Sequence, residues 1–126
     1  MRLQRAIIFV KDLPGMAAFY GGTLGLKAIA ETRTESWVEF DGGGAGVALH
    51  AIPPQFAGGV EISSPPRARE ESPVKLVFQV EDLAKERARL ESQGVPTIPR
   101  PWGACDCLDP ERNVFQICSS AGEAAK

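Results

Sequence analysis

The sequence predicts an α+β fold made of two similar modules in tandem, each running strand, helix and then three strands. Three observations predict it. Ala6-Ile7-Ile8-Phe9-Val10-Lys11-Asp12-Leu13 matches Leu76-Val77-Phe78-Gln79-Val80-Glu81-Asp82-Leu83, an apolar strand that leads through Asp-Leu into a helical pattern. Each helical pattern stops at a glycine followed by a short extended run, Gly25-Leu26 in one half and Gly94-Val95 in the other. The halves also close alike, with Val47-Ala48-Leu49-His50 resembling Asn113-Val114-Phe115-Gln116. Two such modules would place matched residues around a shared seam.

Residues 3–10 are rich in Ile, Val and Phe and alternate weakly, which predicts the first strand. Asp12 is placed to cap the first helix, and Pro14 falls in its first turn, where a missing N–H costs nothing. Leu13, Met16, Ala17, Tyr20 and Leu24 follow helical spacing and give one apolar stripe to face a sheet. Gly21-Gly22 weakens the last turn, and Gly25 ends it. Residues 26–32, 36–40 and 46–52 read as three strands, the last two joined at Asp41-Gly42-Gly43-Gly44.

Residues 53–73 carry Pro53-Pro54, Gly58-Gly59 and Ser63-Ser64-Pro65-Pro66, the composition of an extended and partly mobile linker. The second module opens with a strand at 74–80. Asp82 caps a helix with Leu83, Arg87 and Leu90 along one line, and Gly94 ends it. Strands follow at 97–98, 104–108 and 113–118, the last pair joined by the turn Asp109-Pro110-Glu111-Arg112. The modules therefore span 1–52 and 74–120, and the tail 121–126 is expected to fray.

With 126 residues, 44% apolar and 24% charged, the chain has the composition of an ordinary globular domain. A net charge of -2 gives no electrostatic case for nucleic acid, and the loose Arg67 and Arg69 pair is offset by Glu70 and Glu71. No apolar run reaches the length of a membrane span, and the N-terminus opens as a strand rather than a leader. The expectation is a soluble, cytoplasmic protein with no membrane partner. Three cysteines argue against a disulfide framework. Cys105 and Cys107 alternate along a strand and so share a face, as small semi-buried residues or, alternatively, as soft-metal ligands.

The runs VKDLPGMAAFYGGTLGL (10–26), GVALHAIP (46–53), FQVEDL (78–83) and DPERNVFQI (109–117) resemble the vicinal oxygen chelate superfamily. This is the group of glyoxalase I, extradiol dioxygenases, fosfomycin-resistance enzymes and bleomycin resistance proteins. The resemblance implies paired βαβββ modules forming a curved mixed sheet around one cavity, often within a homodimer. It also implies that metal-using members hold a divalent ion through one side chain from the first and one from the last strand of each module. By that resemblance the positions fall on Arg5, His50, Lys75 and Gln116.

This quartet departs from a metal site. Arg has no free lone pair and stays protonated, and Lys would have to lose its proton beside another cation. The expectation is therefore no metal and no cofactor, with a divalent metal as the alternative. A cavity with Arg5, Lys75, His50 and Gln116 would instead receive an anion such as a carboxylate or phosphate. His50 is the candidate proton carrier. Phe9 and Trp37, with Ile7, Val77 and Val114, would hold the ligand body. Plainer roles stand beside these: Arg5 paired with Glu39, Lys75 in solvent, His50 and Gln116 bonded structurally, Trp37 and Trp102 packed. The function expected first is metal-independent binding of a small molecule. One alternative is a lyase or isomerase with His50 as base. The other is a metal-dependent glyoxalase- or dioxygenase-type enzyme using His50, Glu39 or the Cys105 and Cys107 pair.

Overall fold

The computed structural model describes residues 1–69 and 71–119. The tail expected to fray, 121–126, and position 120 of the second module lie outside the described residues. The chain divides into two compact units, one ending at Ile62 and the other beginning at Ser63. The stretch 53–73 is thus shared between them and is not uniformly extended. It carries a helical turn, α2 (Pro54–Ala57), and a local loop in which the Arg67 N–H donates to Ser63 Oγ.

The first unit contains β1 (Arg5–Val10), α1 (Leu13–Ala17), β2 (Lys27–Ala28), β3 (Trp37–Asp41) and β4 (Gly46–Ala51). The second contains β5 (Leu76–Val80), α3 (Leu83–Ser92), β6 (Thr97–Arg100), β7 (Ala104–Leu108) and β8 (Val114–Ser119). The sheet orders are β1-β4-β3-β2 and β5-β8-β7-β6. In each sheet the first and last strands of the module pair in parallel, and the remaining neighbours pair antiparallel. These are two four-stranded mixed sheets of one topology, the α+β tandem βαβββ architecture expected from the repeat.

Local chemistry explains the elements. The Asp12 carboxylate accepts from the Gly15 N–H at 3.1 Å, and Asp82 accepts from the Lys85 N–H at 3.1 Å, so each module's helix starts on a capped turn. Gly25 and Gly94 lie at φ of +78° and +81°, the left-handed geometry that lets the chain leave a helix and re-enter the sheet. The first helix differs from its expected form. After Ala17 it widens into a π-helical turn at Ala18–Thr23. The wider winding buries Phe19 beside Tyr20 and leaves Leu24 only partly covered, so the simple helical stripe does not hold to its end. The strand expected at 26–32 is also shorter, because a 3₁₀ turn at Ala30–Thr32 follows β2.

The core sits on the helix-facing side of each sheet. Val10, Met16, Tyr20, Phe40 and Leu49 are buried in the first unit, and Leu90, Cys105, Cys107, Phe115 and Ile117 in the second. Each large side chain contributes about 2 kcal/mol of transfer free energy. The opposite faces carry the candidate site residues. The β7–β8 turn fixes their register: the buried Asp109 carboxylate accepts from the backbone N–H groups of Glu111 (2.9 Å) and Asn113 (3.0 Å). It also accepts from Asn113 Nδ2 at 2.9 Å, while Arg112 takes φ of +70°.

Candidate ligand-binding site

The strand registers set out which positions of the two units correspond. Ala6 pairs with Val47 and Leu76 with Phe115, so Arg5 corresponds to Lys75 and Ala48 to Gln116. Glu39 pairs with Ala48 and Asp106 with Gln116, so the two acids also correspond. The sequence match of His50 to Gln116 is therefore off by two residues. His50 corresponds to Cys118. A slip of two keeps the side chain on the same sheet face, so the face was read correctly although the position was not.

In the first unit Arg5 Nε donates to Glu39 Oε2 at 3.0 Å. The hydrogen bond from Arg5 is the main cause that holds the Glu39 carboxyl below the usual range, with Trp37 and Thr32 assisting against the cost of burial. Gly46 faces Arg5 across β1–β4, and a Cβ there would come within 3.4 Å of both Arg5 Cβ and Glu39 Oε2. The Arg5 guanidinium carbon lies 5.9 Å from the Trp37 ring centre. Phe9, His50 and Trp37 form one row across β1, β4 and β3. Their rings meet edge to face, Phe9 to His50 at 5.4 Å and Trp37 to His50 at 5.9 Å. His50 Nδ1 is buried and has no hydrogen-bond partner among the described residues, whereas Phe9 is 59% exposed.

In the second unit Asp106 is the hub. Its Oδ1 accepts from Lys75 Nζ at 3.2 Å and from Gln116 Nε2 at 2.9 Å. Its Oδ2 accepts from Arg100 Nε and Nη2, both at 2.8 Å, and from Lys75 Nζ at 3.3 Å. Burial by itself pushes this carboxyl up, but the bonds from Gln116, Arg100 and Lys75 outweigh it and hold the group below its ordinary value. A cavity of about 260 Å³ opens on this network, walled by Ile98, Leu108 and Val114 and edged by Arg69, Lys75 and Arg100.

The sequence-selected residues thus separate into two sets. Arg5, His50, Phe9 and Trp37 share the face of the first sheet, and Lys75 and Gln116 meet on Asp106 in the second. Of the two cations expected to receive an anion, Arg5 is bound to Glu39 and Lys75 to Asp106, each a carboxylate of its own unit. For Arg5, the plainer role of pairing with Glu39 is the one observed. Sequence reading missed Asp106, Arg100 and Arg69. The repeat held the signal for Asp106: Glu39 and Asp106 each occupy the middle of the strand before the last. Cys105 and Cys107 are both buried and share the face of β7 opposite to Asp106. Burial, together with Cys105 beside it, pushes the Cys107 thiol well up. Among the described residues, no three His, Cys, Asp or Glu side chains gather as a metal cluster.

A family model described as Glyoxalase/Bleomycin resistance protein/Dioxygenase superfamily matches residues 2–117. The chain belongs to this superfamily. A glyoxalase/bleomycin resistance protein/dioxygenase family enzyme from Burkholderia phytofirmans PsJN is 26% identical, with a TM-score of 0.73 over 94% of this chain and 98% of that one. TnmS3, an antibiotic binding protein from Streptomyces sp. CB03234, is 22% identical, with a TM-score of 0.64 over 94% and 95%. The fosfomycin resistance protein FosX from Listeria monocytogenes is 17% identical, with a TM-score of 0.68 over 96% and 94%. The last two likenesses establish the fold. No curated protein matches the sequence. Among the described residues, no helix is long and apolar enough to cross a membrane.

Proposed function

We propose that this superfamily member binds a small organic molecule without a metal ion. The observation that carries the reading is the neutralisation of both acids on the candidate faces, Glu39 by Arg5 and Asp106 by Lys75 and Arg100. A divalent ion needs carboxylate, imidazole or carbonyl lone pairs, and here the carboxylate lone pairs are already accepting hydrogen bonds. The donor set does not fit such an ion. Neighbouring cations would add repulsion of about 4 kcal/mol per close pair. The aromatic row of Phe9, His50 and Trp37 and the apolar cavity of the second unit supply contact area for a ligand body. The existence of an antibiotic binding protein on the same fold agrees with this reading. A homodimer, implied by the family resemblance, and a cytoplasmic location, expected from the sequence, belong to the same proposal, and sedimentation tests the first.

Thermal-shift measurements separate the possibilities. Small aromatic compounds and organic acids are expected to raise the melting temperature, with a ligand at a hundredfold its Kd adding about 2.7 kcal/mol. Zinc, nickel and manganese are expected to leave melting unchanged. Stoichiometric metal that survives purification and is required for ligand binding would overturn the reading.

The buried Nδ1 of His50, without a hydrogen-bond partner among the described residues, supports a second reading, a lyase or isomerase in which His50 moves a proton. His50→Ala decides it: chemical conversion of a bound ligand, lost in the variant while binding persists, would replace the binder by the enzyme.

A further inference from the structure

We propose that the cavity of the second unit takes an organic anion, its apolar body against Ile98, Leu108 and Val114 and its charged group at the outer edge of Arg100 beside Arg69. The assignment rests on the binder reading above and adds the charge and size of the ligand. It also moves the anion locus from Arg5 and Lys75 to a pair of arginines that the sequence motifs did not mark.

Charge supports the choice. Among the described residues, three cationic side chains, Arg69, Lys75 and Arg100, edge the cavity against the single carboxylate of Asp106. That carboxylate has no acceptor capacity left for a ligand, since Lys75, Gln116 and Arg100 fill both oxygens. It acts on Arg100 instead. Of the five guanidinium N–H groups, one on Nε and one on Nη2 are turned to Asp106. The other three have no partner among the described residues. Arg100 is therefore held at one edge and free at the other, a donor fork oriented before any ligand arrives. The Arg69 backbone N–H donates to the Arg112 carbonyl at 2.9 Å, which anchors its segment at the cavity mouth. Its guanidinium has no carboxylate partner among the described residues.

Size and polarity set the rest. Apolar cavities of about 150 Å³ accept a benzene ring. A volume of about 260 Å³ therefore admits a ring with a short substituent. The surplus positive charge disfavours a cationic ligand, and a neutral one would leave the free edge of Arg100 unused.

Three probes with one body test the assignment by calorimetric titration at low salt: 3-phenylpropionate, 3-phenylpropanol and 3-phenylpropylammonium. The carboxylate is expected to bind about tenfold more tightly than the alcohol, and the ammonium not measurably. Added salt is expected to erode the preference. Arg69→Gln is expected to cut the preference about threefold, and Arg100→Lys, which keeps the charge but loses the fork, about tenfold. A melting curve for each variant establishes that it is folded. Ile98→Trp, which fills the body site, is expected to abolish all binding. Equal affinity for carboxylate and alcohol, both blocked by Ile98→Trp, would overturn the anion assignment and leave the binder reading standing. Binding of none of the three probes would overturn the cavity as a ligand site, and the thermal-shift screen would then decide the binder reading by itself.

Discussion

The two units share a topology and an ion pair, and they part at the positions around it. In the first, Arg5 meets Glu39 alone, beside a row of Phe9, His50 and Trp37. In the second, the corresponding row is Gln79, Cys118 and Ala104. Three rings have become one amide, one thiol and one methyl. The space this leaves is where Arg100, paired in register with Ala104, reaches across to Asp106. Gln116, standing where the first unit has Ala48, adds a further donor. The repeat thus preserves a cation and a carboxylate, while the cavity of the second unit is lined by Ile98, Leu108 and Val114 rather than by this row.

That contrast predicts an order of mutational cost. Asp106→Ala strands Lys75, Arg100 and the Gln116 amide at once, and is expected to lower stability by about 3 kcal/mol in urea denaturation. Gly46→Val places side-chain atoms against Arg5 and Glu39 and is expected to cost about 2 kcal/mol through overpacking. The residue corresponding to Gly46 is Val114, so the second unit already tolerates that side chain at the edge of its cavity. Glu39→Gln is expected to cost only about 1 kcal/mol, because Arg5 remains partly solvated and keeps its place over Trp37. A larger loss in Glu39→Gln than in Asp106→Ala would break the comparison.

Much of this architecture is legible in the chain because strand periodicity and turn chemistry are local. The repeated Val-x-Asp-Leu motifs, the capping aspartates and the Asp109 turn each act through neighbours a few residues away, and each reports itself. The π turn is different. Gly21-Gly22 signals a weak helix end but not a wider winding, and burial of Phe19 follows from that winding. Arg100 was hidden for another reason. It ends a four-residue edge strand after Pro99 and acquires its role only through pairing with β7. Asp106 stands between two cysteines, and alternation puts its carboxylate on the opposite face of β7 from their buried thiols. Long-range pairing decides such roles, and alternation along a strand fixes the face without naming the partner.

The smallest effect is also the one that weighs the two ion pairs in a single experiment. Both Glu39 and Asp106 have folded-state pKa values depressed below their unfolded ones. A depressed carboxyl binds fewer protons in the folded chain than in the unfolded chain, so its stabilisation is complete above the unfolded pKa, about 4. The contribution is lost as pH falls through the folded value. Stability measured from pH 7 to pH 5 is therefore expected to be flat with respect to these groups, and to fall below about pH 4. Glu39→Gln and Asp106→Asn are each expected to flatten the acid limb. The pair whose removal flattens it more has the larger differential interaction with its cations. Three donors on Asp106 oppose a large burial penalty, whereas Arg5 acts on a carboxyl with less to overcome. An acid limb unchanged in both variants would mean that neither pair is formed in solution, and the account of a metal position closed by internal cations would fall with it.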